Sequence, residues 1–216
     1  MRWFPLTVLG LALSQPAAAE DIVDVLRRSQ QMRLEAMPVA AEGPKAHAIR
    51  RSFEQLQRAL PDEVSAELRV VSAGTVAETL HGRIVVAHES LADLPEGARL
   101  FVLAHELGHV ASHHWQQMGA VYRHWIPGEV KPETTDPVAG ALGREASATS
   151  HRQEYEADAY ALQVLRRLGR SPHDAFTAFM QQGMLQDTAT HPGTRKRVAS
   201  LRAAMAGAGA SGHDAE

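Results

Sequence analysis

Apolar residues recur along this chain in two rhythms, one helical and one strand-like. From Asp21 to about Glu35, Ile22, Val25, Leu26 and Met32 can share one face of an amphipathic helix, which Met37-Pro38 and Gly43-Pro44 then interrupt. A second helix is predicted from about Lys45 to Leu60, closed by Pro61. The rhythm then shortens. Glu67 to Ser72 and Arg83 to Ala87 read as strands with a turn or short strand between them, and Gly82 suits a hairpin. From Glu96 to about Met118 the helical spacing returns, with Leu100, Leu103, Leu107 and Val110 forming one stripe. Residues 119 to 147 hold Pro127-Gly128, Pro132 and Asp136-Pro137 and read as loop-rich. A further helix is predicted from about His151 to Leu168, stopped by Gly169. Ser171-Pro172 opens another, and the last runs from about Thr194 to Met205. The fold class is therefore α+β, mostly helical, with no internal repeat.

The two ends differ from the body. Arg2, the apolar stretch Trp3 to Leu13 and the small-residue run ending at Ala19 form a signal-peptide pattern over residues 1–19. The apolar stretch is too short to span a bilayer as a helix. Export, as to a bacterial periplasm, is the expectation. Residues 20–205 would then form one domain, and the small, polar stretch 206–216 is expected to be disordered.

Composition narrows the chemistry. A net charge of −3 with scattered basic residues gives no reason to expect a nucleic-acid partner, and no later stretch is apolar enough to cross a membrane. Oligomeric state is not legible. The 12 histidines are unusual, and with no cysteine any zinc must rest on histidine and carboxylate ligands.

His105-Glu106-Leu107-Gly108-His109 supplies such ligands. Residues four apart lie one helical turn above each other, so both imidazoles can reach one cation. Glu106 is turned about 100° away and can serve instead as general base to a metal-bound water. A shuffled chain of this composition would show HExxH roughly once in twenty. The mid-helix apolar setting of Leu103, Ala104 and Val110 strengthens the signal. A catalytic zinc needs a third protein ligand. An extended HExxHxxGxxH is ruled out by Ser112 and Trp115. Glu129 is one candidate, although Pro127, Gly128 and Pro132 surround it; Glu154, inside a predicted helix, is preferred. Asp158, one turn on, could fix the tautomer of a metal-bound histidine, whereas Glu156 reads as a solvated charge. His113 and His114 read as local or supporting residues rather than ligands, and His81 and His88 as surface residues.

These motifs resemble the HtpX and CAAX prenyl protease family of zinc metallopeptidases. The likeness rests on Val102-Leu103-Ala104-His105-Glu106 after a strand, on Glu154-Tyr155-Glu156-Ala157-Asp158, and on His191-Pro192 with Arg197 beyond. It spans roughly residues 66 to 202. It departs at Ser150-His151 and Thr75-Val76, and it lacks membrane helices and a helical-repeat module. The resemblance implies a mostly helical zincin domain, gluzincin in type, with its small β-sheet beside the active-site helix. It implies one Zn2+ on His105, His109 and Glu154, catalysis by Glu106, and oxyanion stabilisation by His191 or Arg197. His191 could alternatively latch the zinc, or merely turn the chain. The Arg83–Ala87 strand is either an ordinary strand or an edge that accepts substrate as an added strand. The expected activity is endopeptidase cleavage of unfolded or misassembled cell-envelope polypeptides. The alternative is a latched zinc protein that acts mainly as a chaperone or binding module.

Overall fold

The structure is a computed structural model that describes residues 20–61 and 63–210; the signal-like segment 1–19 and residues 211–216 lie outside them. Helices α1 (Ile22–Ala36) and α2 (Pro44–Ala59) lead into strands β1 (Glu67–Val71), β2 (Ala77–Leu80) and β3 (Ile84–His88). Helices α3 (Glu96–Ala111), α4 (His114–Trp125), α5 (Pro132–Thr135), α6 (Ala139–Arg167), α7 (His173–Gln182) and α8 (Thr194–Ala210) follow. Mostly helical with one small sheet, the chain has the α+β class its patterning predicts.

Helix α3 is the centre of the core. Leu100, Leu103 and Leu107 are wholly buried, as the stripe requires, but so are Ala98 and Ala104, and Phe101 is 2% exposed. A helix apolar on nearly every side must be covered on every side. It is enclosed by α2, α6, α7 and β2. Its approach to α6 depends on Gly108, where a Cβ would stand 3.1 Å from the Cα of Ala157. Any larger residue would have to push the two backbones apart by a few tenths of an ångström, so glycine favours the close packing of the motif's face against α6.

The sheet has the order β1-β3-β2, with β1 parallel and β2 antiparallel to β3. The segment left as a turn or short strand is thus the true strand β2. β3 is central and hydrogen-bonded on both sides, so it cannot accept a further strand. The edge unpaired with another strand among the described residues, on the α3 side, belongs to β2. His88 closes β3 by accepting the N–H of Ser90 at 3.1 Å, so it caps the chain rather than merely facing solvent.

Three expectations differ from the structure. The helix predicted from Glu96 to Met118 breaks at Ser112, because His113 takes a left-handed φ of 53° and a new helix starts at His114. The supposedly loop-rich stretch is largely helical, and α6 begins at Ala139, well before His151. Leu142 explains that extension, since it packs with Ile22, Val23 and Ile126 in a satellite core that local propensity does not reveal. Helix α8 runs to Ala210, into the stretch expected to be disordered.

The β2–β3 turn is closed by the Arg83 N–H donating to the Leu80 carbonyl at 3.1 Å. His81 and Gly82 both have positive φ, 54° and 67°, as hairpins with primed turns demand. A Cβ on Gly82 would also meet Trp115 at 2.8 Å. Gly82→Ala therefore adds a left-handed penalty and a clash; it is expected to lower unfolding free energy by about 1–3 kcal/mol in urea titrations.

Candidate metal centre and cleft

Two helices make the centre. His105 and His109 project from α3, and Glu154 and Asp158, likewise one turn apart, project from α6. His105 and Glu106 are each 7% exposed, Glu154 5% and Asp158 1%. Burial this deep is sustained only where every charge is paired or reserved for a ligand.

His105, His109 and Glu154 form the one cluster of potential metal donors among the described residues. The Nε2 atoms of His105 and His109 face each other at 3.1 Å. Glu154 lies 3.5 Å from the first through Oε2 and 3.4 Å from the second through Oε1. Donors about 2.0–2.1 Å from one tetrahedral ion stand roughly 3.3–3.4 Å from each other, so the triangle has the size of a zinc site. Glu154 Oε2 is buried and makes no hydrogen bond, although Arg197 Nη1 is 3.2 Å away. An orphaned carboxylate oxygen facing one imidazole nitrogen, with its companion oxygen facing the second, suits a cation. Glu129 takes no part; it pairs with Lys131 at 2.6 Å in the loop after α4.

Each histidine is oriented from behind. His105 Nδ1 donates to Asp158 Oδ1 at 3.0 Å, leaving Nε2 free for metal. Asp158 in turn accepts from Arg197, Nε to Oδ2 at 2.8 Å and Nη2 to Oδ1 at 2.5 Å. Burial alone would raise the Asp158 pKa, but the Arg197 and His105 hydrogen bonds hold it below the usual range. Glu154 follows the same balance: burial raises its pKa, and His109, His105 and Arg197 together bring it well down. For His105 itself burial and Arg197 push the pKa down, yet Asp158 and Glu154 prevail and raise it. With all three nitrogens of its guanidinium facing Asp158 and Glu154, Arg197 acts as a clamp behind the ligands. That leaves it poorly placed for the oxyanion role the sequence offered it.

His109 has a different support. Its Nδ1 lies 2.8 Å from Nδ1 of His114, whose Nε2 is 3.1 Å from Glu156 Oε2. Burial and the neighbouring His109 lower the His114 pKa to about 4. The ring is therefore neutral near pH 7, and can accept from His109 while donating to Glu156. Sequence reasoning read His114 as a local or supporting residue and Glu156 as a solvated charge. Glu156 is indeed exposed, but their link to His109 depends on the αL turn at His113, which no glycine or proline marks.

Glu106 carries its carboxylate on the β2 side. Thr79 Oγ1 lies 2.8 Å from Glu106 Oε2 and 3.0 Å from the Glu106 carbonyl. Thr79 carries no motif signal and escaped the sequence reading. His191 sits on the open side of the site, 60% exposed, with Nε2 3.7 Å from Glu154 Oε1. The loop before it is held in shape by Thr194, which donates to the Gly183 carbonyl at 2.9 Å and accepts from the Leu185 N–H at 3.0 Å. These residues line a cleft of about 800 Å³ whose walls include Val76, Ala77, Phe101, Phe179, Leu185 and Pro192.

The sequence matches the profile of Peptidase family M48 over residues 48–126 and 131–205. Among solved structures, the crystal structure of S. mikatae Ste24p is similar, at 18% identity and a TM-score of 0.50. That similarity covers 82% of this chain and 55% of Ste24p, so the present chain corresponds to about half of that protein. Comparison with curated proteins gives no significant match. The fold and site define an HExxH-type metal centre shared between two helices. The chain belongs to Peptidase family M48, whose members are zinc-dependent.

Removing the clamp tests how the centre is held. Arg197→Met would leave Asp158 and Glu154 buried with their main cationic partner gone. It is expected to destabilise the metal-free protein by about 3–5 kcal/mol in denaturant titrations, with zinc recovering part of the loss.

Proposed function

We propose that this chain is an endopeptidase holding one Zn2+ on His105, His109 and Glu154, with Glu106 as general base. The observation that carries the reading is the convergence of three donor residues, His105 and Glu154 buried and His109 half-buried, with the Glu106 carboxylate as a fourth group beside them, off the donor triangle. A purely structural site has no use for that fourth group.

Zinc bound here would acidify its water and polarise the scissile carbonyl. The chain's own residues supply the rest. Glu106 accepts the proton of the attacking water and delivers it to the leaving amine. His191, on the open side, donates to the developing oxyanion. Asp158 and Arg197 keep His105 in its ligating tautomer, and His114 does the same for His109.

The substrate enters along β2. Val76 and Leu80 direct their carbonyls to β3, accepting from His88 and Arg83 at 2.9 and 3.1 Å. By alternation, the backbone groups of Ala77 and Thr79 face the unpaired edge. An extended polypeptide can add there as a strand, laying its side chains against the apolar cleft. An unfolded chain offers free extended segments along its whole length, which supports unfolded or misassembled polypeptides as the substrate class. Cell-envelope proteins in a bacterial periplasm are the proposed pool, on the strength of the signal-like residues 1–19. No helix among the described residues is long and apolar enough to cross a membrane.

His191 favours a second reading. At 3.7 Å from Glu154 Oε1 it is close enough to the donor triangle to occupy the substrate's side of the site. A protein latched in this way would bind clients without turnover.

Glu106→Gln separates the two readings. The variant is expected to keep one zinc per chain and to lose about 10²–10⁴-fold in cleavage of casein or an unfolded protein. If both proteins bind zinc and neither cleaves, the latched reading replaces the peptidase one. If Glu106→Gln cleaves as fast as wild type, Glu106 is not the base.

A further inference from the structure

We infer that Thr79 is a positioning residue for the general base, holding the Glu106 carboxylate in its working rotamer from the strand that receives the substrate. The inference rests on the peptidase reading above and adds to it a residue that no motif identifies.

A glutamate on a helix turns about three side-chain bonds, and its carboxylate must stop in one place to reach a water on the metal. In the apolar surroundings of α3 few groups can stop it. The apolar residues of α3 have nothing to offer a carboxylate, and the Nε2 atoms of His105 and His109 face Glu154. Thr79 is a different kind of neighbour. Its Oγ1 is 2.8 Å from Glu106 Oε2, and the same oxygen is 3.0 Å from the Glu106 carbonyl. A hydroxyl carries one proton. Donated to Oε2, that proton fixes one carboxylate oxygen and leaves Oε1 to accept from water. Threonine suits the task because its β-branch restricts χ1, so the hydroxyl is itself held.

Strand geometry supports the assignment. Side chains alternate along β2. Leu80 packs with Leu34, Met37 and Ile84 on one face, and Glu78 on that same face pairs with Arg33 at 3.0 Å. Ala77 and Thr79 turn the other way, toward α3. The backbone of Thr79 faces the unpaired edge while its side chain reaches Glu106. One residue thus contacts the base and borders the path of the substrate backbone, so a strand docked on β2 is registered against the group that activates the water.

The distinguishing experiment uses the full chain loaded with zinc. Thr79→Val keeps shape and branching but removes the proton; Thr79→Ser keeps the hydroxyl. Zinc content, thermal unfolding, kcat and KM on a quenched fluorescent peptide are measured for both. Thr79→Val is expected to hold one zinc per chain and a KM within about threefold of wild type, while kcat falls roughly ten- to a hundredfold. Thr79→Ser is expected to restore most of the lost kcat. An unchanged kcat in Thr79→Val overturns the inference. So does an equal loss in Thr79→Ser, or a loss that follows zinc content or melting temperature. Should wild type show no zinc-dependent cleavage, the peptidase reading fails and takes this inference with it. Should wild type cleave and Glu106→Gln not, an active Thr79→Val removes Thr79 alone.

Discussion

Asp158 and Arg197 form a buried ion pair on which the rest of the centre depends. The carboxylate is 1% exposed, accepts from Arg197 at both oxygens and from His105 at one. Such a pair gains little net stability over an apolar one, because desolvating both charges consumes most of the attraction. Its use lies in orientation. It joins α8, which carries Arg197, to α6, which carries Asp158, and through His105 to α3. Arg197 also stands 3.2 Å from Glu154 Oε2, so one guanidinium keeps two carboxylates ionised in a buried setting. An ionised Glu154 is what a cation needs for its third ligand.

The two metal-facing histidines are supported unequally. His105 rests on a fully buried charged pair, whereas His109 rests on a neutral imidazole backed by the exposed Glu156. Gly108, between them on α3, lets that helix pack closely against α6. The sheet completes the arrangement from the other side. β2 is short, paired only with β3 among the described residues, and pinned at its end by the His81-Gly82 turn against Trp115. A strand held at one edge and open at the other can take on a partner without rearrangement.

Much of this was legible in the sequence. HExxH and the Glu154–Asp158 pair are local patterns, each fixed by helical spacing and by residue types with few other uses, and the structure brings them together. The stripe on α3 and the hairpin at Gly82 were likewise written locally. What escaped was non-local. The parallel pairing of β1 with β3 skips over the intervening β2, so neither strand announces which of them is the edge. The first turns of α6 contain Gly140 and Gly143, poor helix formers, and depend on Leu142 packing against α1 and α4. The break at His113 uses a left-handed residue that is neither glycine nor asparagine. Thr79 and His114 are common residue types whose meaning comes only from the atom they touch.

The central claim is that α3 and α6 together hold one metal ion through Glu154. Zinc content after dialysis, with affinity from chelator competition, measured for wild type and Glu154→Ala, tests it most directly. The account predicts one zinc per wild-type chain and an affinity weakened at least about a hundredfold in the variant, since two histidines alone do not make a catalytic zinc site. Equal stoichiometry and affinity in both proteins would contradict it.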